Sequence, residues 1–331
     1  KHRVFQFHDY SVAPDDALMC IASDDAYLLG VLSSFVHGHW MLATGSTLED
    51  RPRYIKSTCF EAFPFPDATP APRARIRALA SGLGEDISNY RLVNTEHSHA
   101  SAEAAVSLAR SGEVDTLMKG SLHTDEIMAA VVSTQGGLRT ERRVSHVFVM
   151  DVPAYDRILF VTDAAINIEP SLKEKADIAQ NAIDLARSLG IETPKVAILS
   201  AVEMVNPDIN STIDAAALCK MADRGQIRGA VLDGPLAFDN AISEIAARTK
   251  SIHSPVAGRA DILLVPNIEA GNMLAKQLQY FAGADSAGIV LGARVPVILT
   301  SRADNVRMRV GSAAVAKLVV HARRAAVPPL K

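Results

Sequence analysis

From Val114 onward, short apolar runs alternate with segments of helical periodicity, and this alternation restricts the chain to an α/β fold. Candidate strands lie at 114–118, 147–152, 157–162, 196–200, 229–232, 262–265, 288–291 and 297–300. Several are continuously apolar, which predicts strands buried on both faces, as in a parallel sheet covered by helices. One intervening helix is well marked. Ser171 and Glu174 make a capping box, Ile178, Ala182, Leu185 and Leu189 form one stripe, and Gly190 follows as the stop. Strand, helix and strand in this order predict a doubly wound α/β fold.

Residues 1–75 differ. They are rich in aromatics and contain the only tryptophan, Trp40. They end in Phe63-Pro64-Phe65-Pro66 and then Pro70-Ala71-Pro72, a stretch that excludes helix and central strand and reads as a linker into a helix at 73–83. A boundary is expected there.

Composition narrows the function classes. At 331 residues, one large or two medium domains are expected. A net charge of -3 supplies no general attraction to nucleic acid or an anionic membrane. Cys20, Cys59 and Cys219 are scattered and odd in number, which fits a reducing cytoplasm better than a disulfide framework or a zinc site. Lys1-His2-Arg3 opens no apolar signal region, no run of 18 apolar residues occurs, and the missing Met places the natural start elsewhere.

Phosphate-loop, dinucleotide, serine-elbow and zinc-protease motifs are all missing from the sequence. His97-Ser98-His99 has no third ligand at helical spacing and reads as a solvated loop, so no metal is expected. Any phosphate must then be held by arginines, hydroxyls and loop amides at several strand ends. Lys119-Gly120-Ser121 directly follows the first strand, where Lys119 and Ser121 suit an oxyanion; a strand-to-helix turn capped by Ser121 is the plainer alternative. Arg139, Arg142 and Arg143 precede the next strand, either as a solvated face or as anion ligands. Asp233 and Asp239 flank an apolar loop after 229–232. Glu269-Ala270-Gly271-Asn272 opens a helix after Pro266, where backbone amides favour anions. Ser301-Arg302-Ala303-Asp304 is the sharpest cluster: hydroxyl, guanidinium and carboxylate at one strand end suit a polyanionic substrate and a proton transfer, against a plain turn with a surface ion pair.

Six segments in order carry a resemblance: Met118-Lys119-Gly120-Ser121-Leu122-His123-Thr124, Ser145-His146-Val147-Phe148-Val149-Met150-Asp151, Asp233-Gly234-Pro235-Leu236-Ala237-Phe238-Asp239, Ser254-Pro255-Val256-Ala257-Gly258, Glu269-Ala270-Gly271-Asn272 and Ser301-Arg302. Over residues 86–331 the chain resembles the phosphate acetyl/butyryltransferases, closest to the branch joined to an enoyl-CoA hydratase domain. The resemblance implies a two-domain fold of the isocitrate/isopropylmalate dehydrogenase type. One lobe would be 76–150 plus 285–331, the other 151–284, with the cleft between them. It implies acyl transfer between coenzyme A and phosphate by direct thiolate attack on an acyl phosphate. Coenzyme A would be a substrate, with no tightly bound cofactor, and the assembly a homodimer.

In that chemistry a base takes the thiol proton, because the thiolate is the nucleophile. Asp304 is the candidate; the acetyltransferase pattern has its aspartate further on, where Arg307 and Met308 stand here. Ser301 would hydrogen-bond the carbonyl oxyanion and Arg302 would hold the phosphoryl group in a fork. Arg139 or Arg143 with Lys119 would add positive charge, and Ser121, Asp233, Ser254 and Asn272 would complete the substrate site. Leu236 and Phe238 would border the acyl group, where one methylene discriminates by only about 1–3 kcal/mol.

Residues 1–75 resemble instead the C-terminal part of restriction-modification DNA methyltransferases, on Val4-Phe5-Gln6-Phe7, Ile21-Ala22-Ser23-Asp24-Asp25-Ala26-Tyr27, Gly30-Val31-Leu32-Ser33-Ser34 and Pro52-Arg53-Tyr54-Ile55-Lys56-Ser57-Thr58-Cys59-Phe60. The catalytic and cofactor motifs of those enzymes are missing, so no methyl transfer is expected. Because the acyltransferase family opens with strands not found here in family form, a catalytically impaired fusion is an alternative. A DNA-binding module carried by residues 1–75 is another, although no long basic run supports nucleic acid as a partner, and a nicotinamide-dependent oxidoreductase lacks its fingerprint.

Overall fold

The structure is a computed structural model that describes residues 46–48, 51–53, 90–301 and 304–326. The chain divides into two compact units, residues 1–94 and 95–331. In the first, β1 (Ser46–Leu48) and β2 (Arg51–Arg53) pair antiparallel, Thr47 opposite Pro52. The Pro-rich stretch and the helix expected at 73–83 lie outside the described residues.

The second unit is built on one sheet of eight strands. They are β3 (Leu117–Met118), β4 (Ser145–Asp151), β5 (Ile158–Thr162), β6 (Lys195–Leu199), β7 (Val231–Leu236), β8 (Ile262–Leu264), β9 (Asp285–Leu291) and β10 (Val297–Ile298). Their order is β3-β10-β9-β4-β5-β8-β6-β7. The sequence pattern predicted a parallel sheet; the sheet is mixed. β4 pairs antiparallel with β5 and β9, and β9 with β10, while the remaining neighbours are parallel. The reason is connection length. Only residues 152–157 join β4 to β5 and 292–296 join β9 to β10, too few for a crossover, so these pairs must turn back on themselves.

Helices cover both faces, which explains the continuously apolar strands. Val196, Ile198, Ile262, Leu264, Ile289 and Ile298 point into one core cluster. It is covered by α3 (Leu172–Ser188), α4 (Asn210–Asp223) and α8 (Val306–Ala326). The alternating residues Leu159, Val161, Ala197, Leu199 and Leu263 point the other way. They pack under α5 (Phe238–Ile242), α6 (Glu244–Thr249) and α7 (Ile268–Tyr280). On that same second face, Leu117, Val290, Val297 and Leu299 pack under α1 (Ser98–Ser111) and α2 (Thr124–Val131). The α3 helix forms as its sequence dictates: Ser171 Oγ accepts from the Glu174 amide, the Glu174 carboxylate accepts from the Ser171 amide, and Gly190 turns with φ 96°.

Candidate active site

A mixed sheet has carboxyl ends on both of its edges, and ligands of α/β folds bind at such ends. The first edge carries the ends of β3 and β10. The Lys119 amide donates to Ile298 O at 3.0 Å, which places Lys119-Gly120-Ser121 beside Leu299-Thr300-Ser301. Lys119 is buried, and its Nζ donates to Gly120 O and Leu122 O, each at 3.0 Å. Its charge thus folds the turn that presents Ser121. A Cβ at Gly120 would meet nothing within 4 Å, so crowding does not explain that glycine.

Ser301 is exposed, and its amide donates to Asp304 Oδ2 at 2.7 Å. The Asp304 amide returns a bond to Ser301 O at 3.1 Å. Asp304 therefore closes the turn that carries Ser301. Arg302 lies outside the described residues. Asn305 Oδ1 accepts from the Met308 amide at 2.9 Å at the start of α8, whose first turn holds no acidic residue. The positive end of that helix dipole faces the same edge. Arg307, at the position where an aspartate was sought, pairs with Asp285 at 2.9 Å.

The second edge carries the ends of β5 and β8 and the start of β4. Here Arg143 and Asn272 approach the loop 163–167. Arg143 Nε donates to Asn167 Oδ1 at 2.6 Å and its Nη1 pairs with Glu174 Oε1 at 3.1 Å. Asn272 Nδ2 donates to Ala164 O at 3.3 Å, and Gly271 is needed because a Cβ would meet Asp163 O at 2.9 Å. Exposed Arg139 bridges to Ala293 nearby. Along β4, Arg143 lies on the order of 20 Å from the level of Ser301, at about 3.4 Å per residue.

Asp233 lies far from the first edge. Asp233 sits on the outermost strand β7, opposite Ala197 and six strand spacings from β10, roughly 30 Å. Its charge, after burial, helps push the Cys219 thiol up to about 12. Ser254 Oγ accepts from the Val256 and Ala257 amides at 3.0 and 3.1 Å and so caps a turn. Leu236 is buried in the core beside Ala241 and Ala247. His97, once a metal candidate, caps α1 by accepting from the Ala100 amide at 3.1 Å.

Two buried titratable residues, Asp163 and His146, had no role in the sequence reading. Asp163, 3% exposed, accepts from the amides of Ala165, Ile166 and Asn167 at 2.9, 3.0 and 3.3 Å and from Asn167 Nδ2 at 2.5 Å. Burial raises its pKa, and these donors, with the His146 amide, pull it back. His146 is buried between the two edges. Its ring meets Phe148 edge-on at 4.4 Å, its Nδ1 has no hydrogen-bond partner, and burial lowers its pKa to about 3. Thr162-Asp163-Ala164-Ala165-Ile166-Asn167 carried the same signal as the named clusters, polar groups directly after an apolar run.

Residues 73–317 match the family model of the phosphate acetyl/butaryl transferases. Residues 4–67 match the MmeI target recognition domain. A phosphate acetyltransferase of Rhizobium meliloti is 61% identical over 256 residues, 77% of this chain and 81% of that protein. A phosphate butyryltransferase of Clostridium acetobutylicum is 46% identical over 244 residues, 74% of this chain and 81% of that protein. The crystal structure of a branched-chain phosphotransacylase from Enterococcus faecalis superimposes with a TM-score of 0.63 at 32% identity, covering 75% of this chain and 94% of that one. With more than two thirds of its length matched, the chain belongs to the phosphate acetyl/butaryl transferase family.

Proposed function

We propose that this enzyme transfers an acetyl or butyryl group between coenzyme A and phosphate, and that the reaction takes place at the ends of β3 and β10. The observation that carries the location is the pairing of Lys119-Gly120-Ser121 with Leu299-Thr300-Ser301 on adjacent parallel strands. In the forward direction the thiol sulfur attacks the acyl phosphate carbonyl. The new S–C bond forms as the C–O bond to phosphate breaks, and phosphate leaves with that electron pair. Asp304 takes the thiol proton, Ser301 steadies the oxyanion, and Arg302 with the Lys119 charge receives the phosphoryl group. Ser121 and the α8 N-terminus add donors. Coenzyme A is a substrate and nothing is bound permanently.

Arg139, Arg143, Asn272, Asp233 and Ser254 act through the fold in this reading. The two-lobe frame rests on strand order: β3-β10-β9-β4 come from 76–150 and 285–331, and β5-β8-β6-β7 from 151–284. A homodimer of the isocitrate-dehydrogenase-like arrangement is part of the same reading. The test is thioester formation from coenzyme A with acetyl phosphate and butyryl phosphate side by side. Turnover of either supports the reading; a folded chain that forms no acyl-CoA from either refutes it. For residues 1–75, the match at 4–67 favours a second role in target recognition by a methyltransferase-like fragment. Salt-dependent duplex binding that survives Ser301→Ala would support that role, and no duplex binding at low salt would dismiss it.

A further inference from the structure

The lysines of the second unit differ in how their charge is met. Lys175, Lys220 and Lys250 each hold a carboxylate at 2.6 Å, on Asp214, Asp223 and Glu203. Lys195, the first residue of β6, does not. It is half-buried, and strand alternation puts it on the face of Ala197. The carboxylate beside it, Asp261, is 4% exposed and already committed. Its Oδ2 accepts from the Lys195 amide at 2.8 Å, and its Oδ1 from Arg157 Nη1 at 3.2 Å. The Asp261 amide returns a bond to Lys195 O at 2.9 Å, so the backbone fixes the two residues side by side. The other nearby carboxylate, Glu244, is held by Arg259 at 3.1 Å. Among the described residues, the Lys195 ammonium makes no hydrogen bond or ion pair. Burial, then the charges of Arg259 and Arg157, hold it below the ordinary lysine value, with Asp261 and Glu244 opposing. A lysine that loses water beside other cations, with no anion of its own, is an activated nucleophile.

We infer that Lys195 is an acylation site, whose ε-amino group takes the acyl group of an acyl phosphate and keeps it as an amide. The inference rests on the proposed reaction for its supply of acyl phosphate. Lys195 lies on the same edge of the sheet as Ser301. Because β10 runs antiparallel to β5, β8 and β6, the end of β10 and the start of β6 share that edge. They are five strand spacings apart, roughly 24 Å. Acyl phosphate leaving the reacting edge therefore reaches Lys195 through solvent, without entering a second pocket. The ammonium first gives a proton to water. The amine nitrogen then attacks the carbonyl carbon and forms the N–C bond. The C–O bond to phosphate breaks, phosphate leaves with that electron pair, and the remaining excess proton on nitrogen passes to water. The amide is neutral, so acylation removes a charge that Arg157 and Arg259 repel.

The test is to incubate the full chain with acetyl phosphate, without coenzyme A, and to follow acetylation of each lysine by peptide mass spectrometry. Lys195 should react at least about fivefold faster than the exposed Lys173 and Lys317, and the advantage should vanish in urea-unfolded chain. A Lys195 rate no higher than theirs in the folded chain, or an advantage that persists in urea, would overturn the inference. Arg259→Gln, at a half-exposed surface pair, removes one activating charge without touching the core. It should slow Lys195 at least about threefold and leave Lys173 unchanged. Equal Lys195 rates in the two chains would overturn the assignment as well. The reagent is supplied and no turnover is needed. Failure here therefore leaves the proposed reaction standing, and a chain that forms no acyl-CoA can still be labelled at Lys195.

Discussion

The two edges of the sheet handle negative charge in opposite ways. At the β5 edge the loop amides that would greet an anion are already taken by the chain's own Asp163, and Arg143 is spent on Asn167 and Glu174. That edge is self-neutralised. At the β3 and β10 edge Asp304 accepts the Ser301 amide across a short turn, while Ser301 itself is exposed. Similar residue types thus make a strut at one end and a receptive site at the other. What separates them is whether the carboxylate is sealed in the core or left at the surface.

The largest effect expected from breaking this contrast is on catalysis. Ser301→Ala should lower kcat by about 10²–10³, the loss of one oxyanion donor, and Asn272→Ala by less than about tenfold. Equal losses in a thioester assay would erase the distinction between the edges. Next comes stability. Asp163→Ala strips several buried amides of their acceptor and should cost about 3 kcal/mol in urea unfolding, whereas Asp304→Ala should cost under about 1. A reversed ranking would mean that the strut and the site have been assigned the wrong way round.

Between the edges, His146 gives a pH signature. Its folded pKa of about 3 lies below the unfolded 6.5, so between these values only the unfolded chain holds the proton. Stability should therefore be fully present above about pH 6.5 and fall as the pH drops toward 3, by at most about 1.4 kcal/mol per unit from this group. His146→Phe should flatten that slope, and an unchanged slope in acid urea melts would show that the ring is hydrated. The smallest effect belongs to Arg142→Ala, under about 1 kcal/mol in the same melts, because its pair with Asp184 is half exposed.

Much of the frame was legible in the sequence because burial on two faces writes itself as continuous apolar runs. All eight expected strands are present within a few residues of their predicted bounds, and α3 has the cap and stop its sequence announced. Strand direction was not legible from the apolar runs, since a buried antiparallel strand looks the same as a parallel one; only the short links 152–157 and 292–296 betray it. Lys119-Gly120-Ser121 and Ser301 follow neighbouring parallel strands, and strand ends are visible in the sequence as polar groups after apolar runs. That same signal also marked Arg143 and Asn272 without telling which edge they occupy. Asp163 passed unnoticed because its donors include the His146 amide, brought to it only by the pairing of β4 with β5.

Hydrogen–deuterium exchange of the full chain, with and without desulfo-coenzyme A plus acetyl phosphate, tests most directly where the chemistry occurs. Ligand should slow exchange in segments 119–123 and 299–305 and leave 163–168 unchanged. Protection confined to 163–168, with 119–123 and 299–305 unaffected, would contradict the placement of the reaction at the ends of β3 and β10.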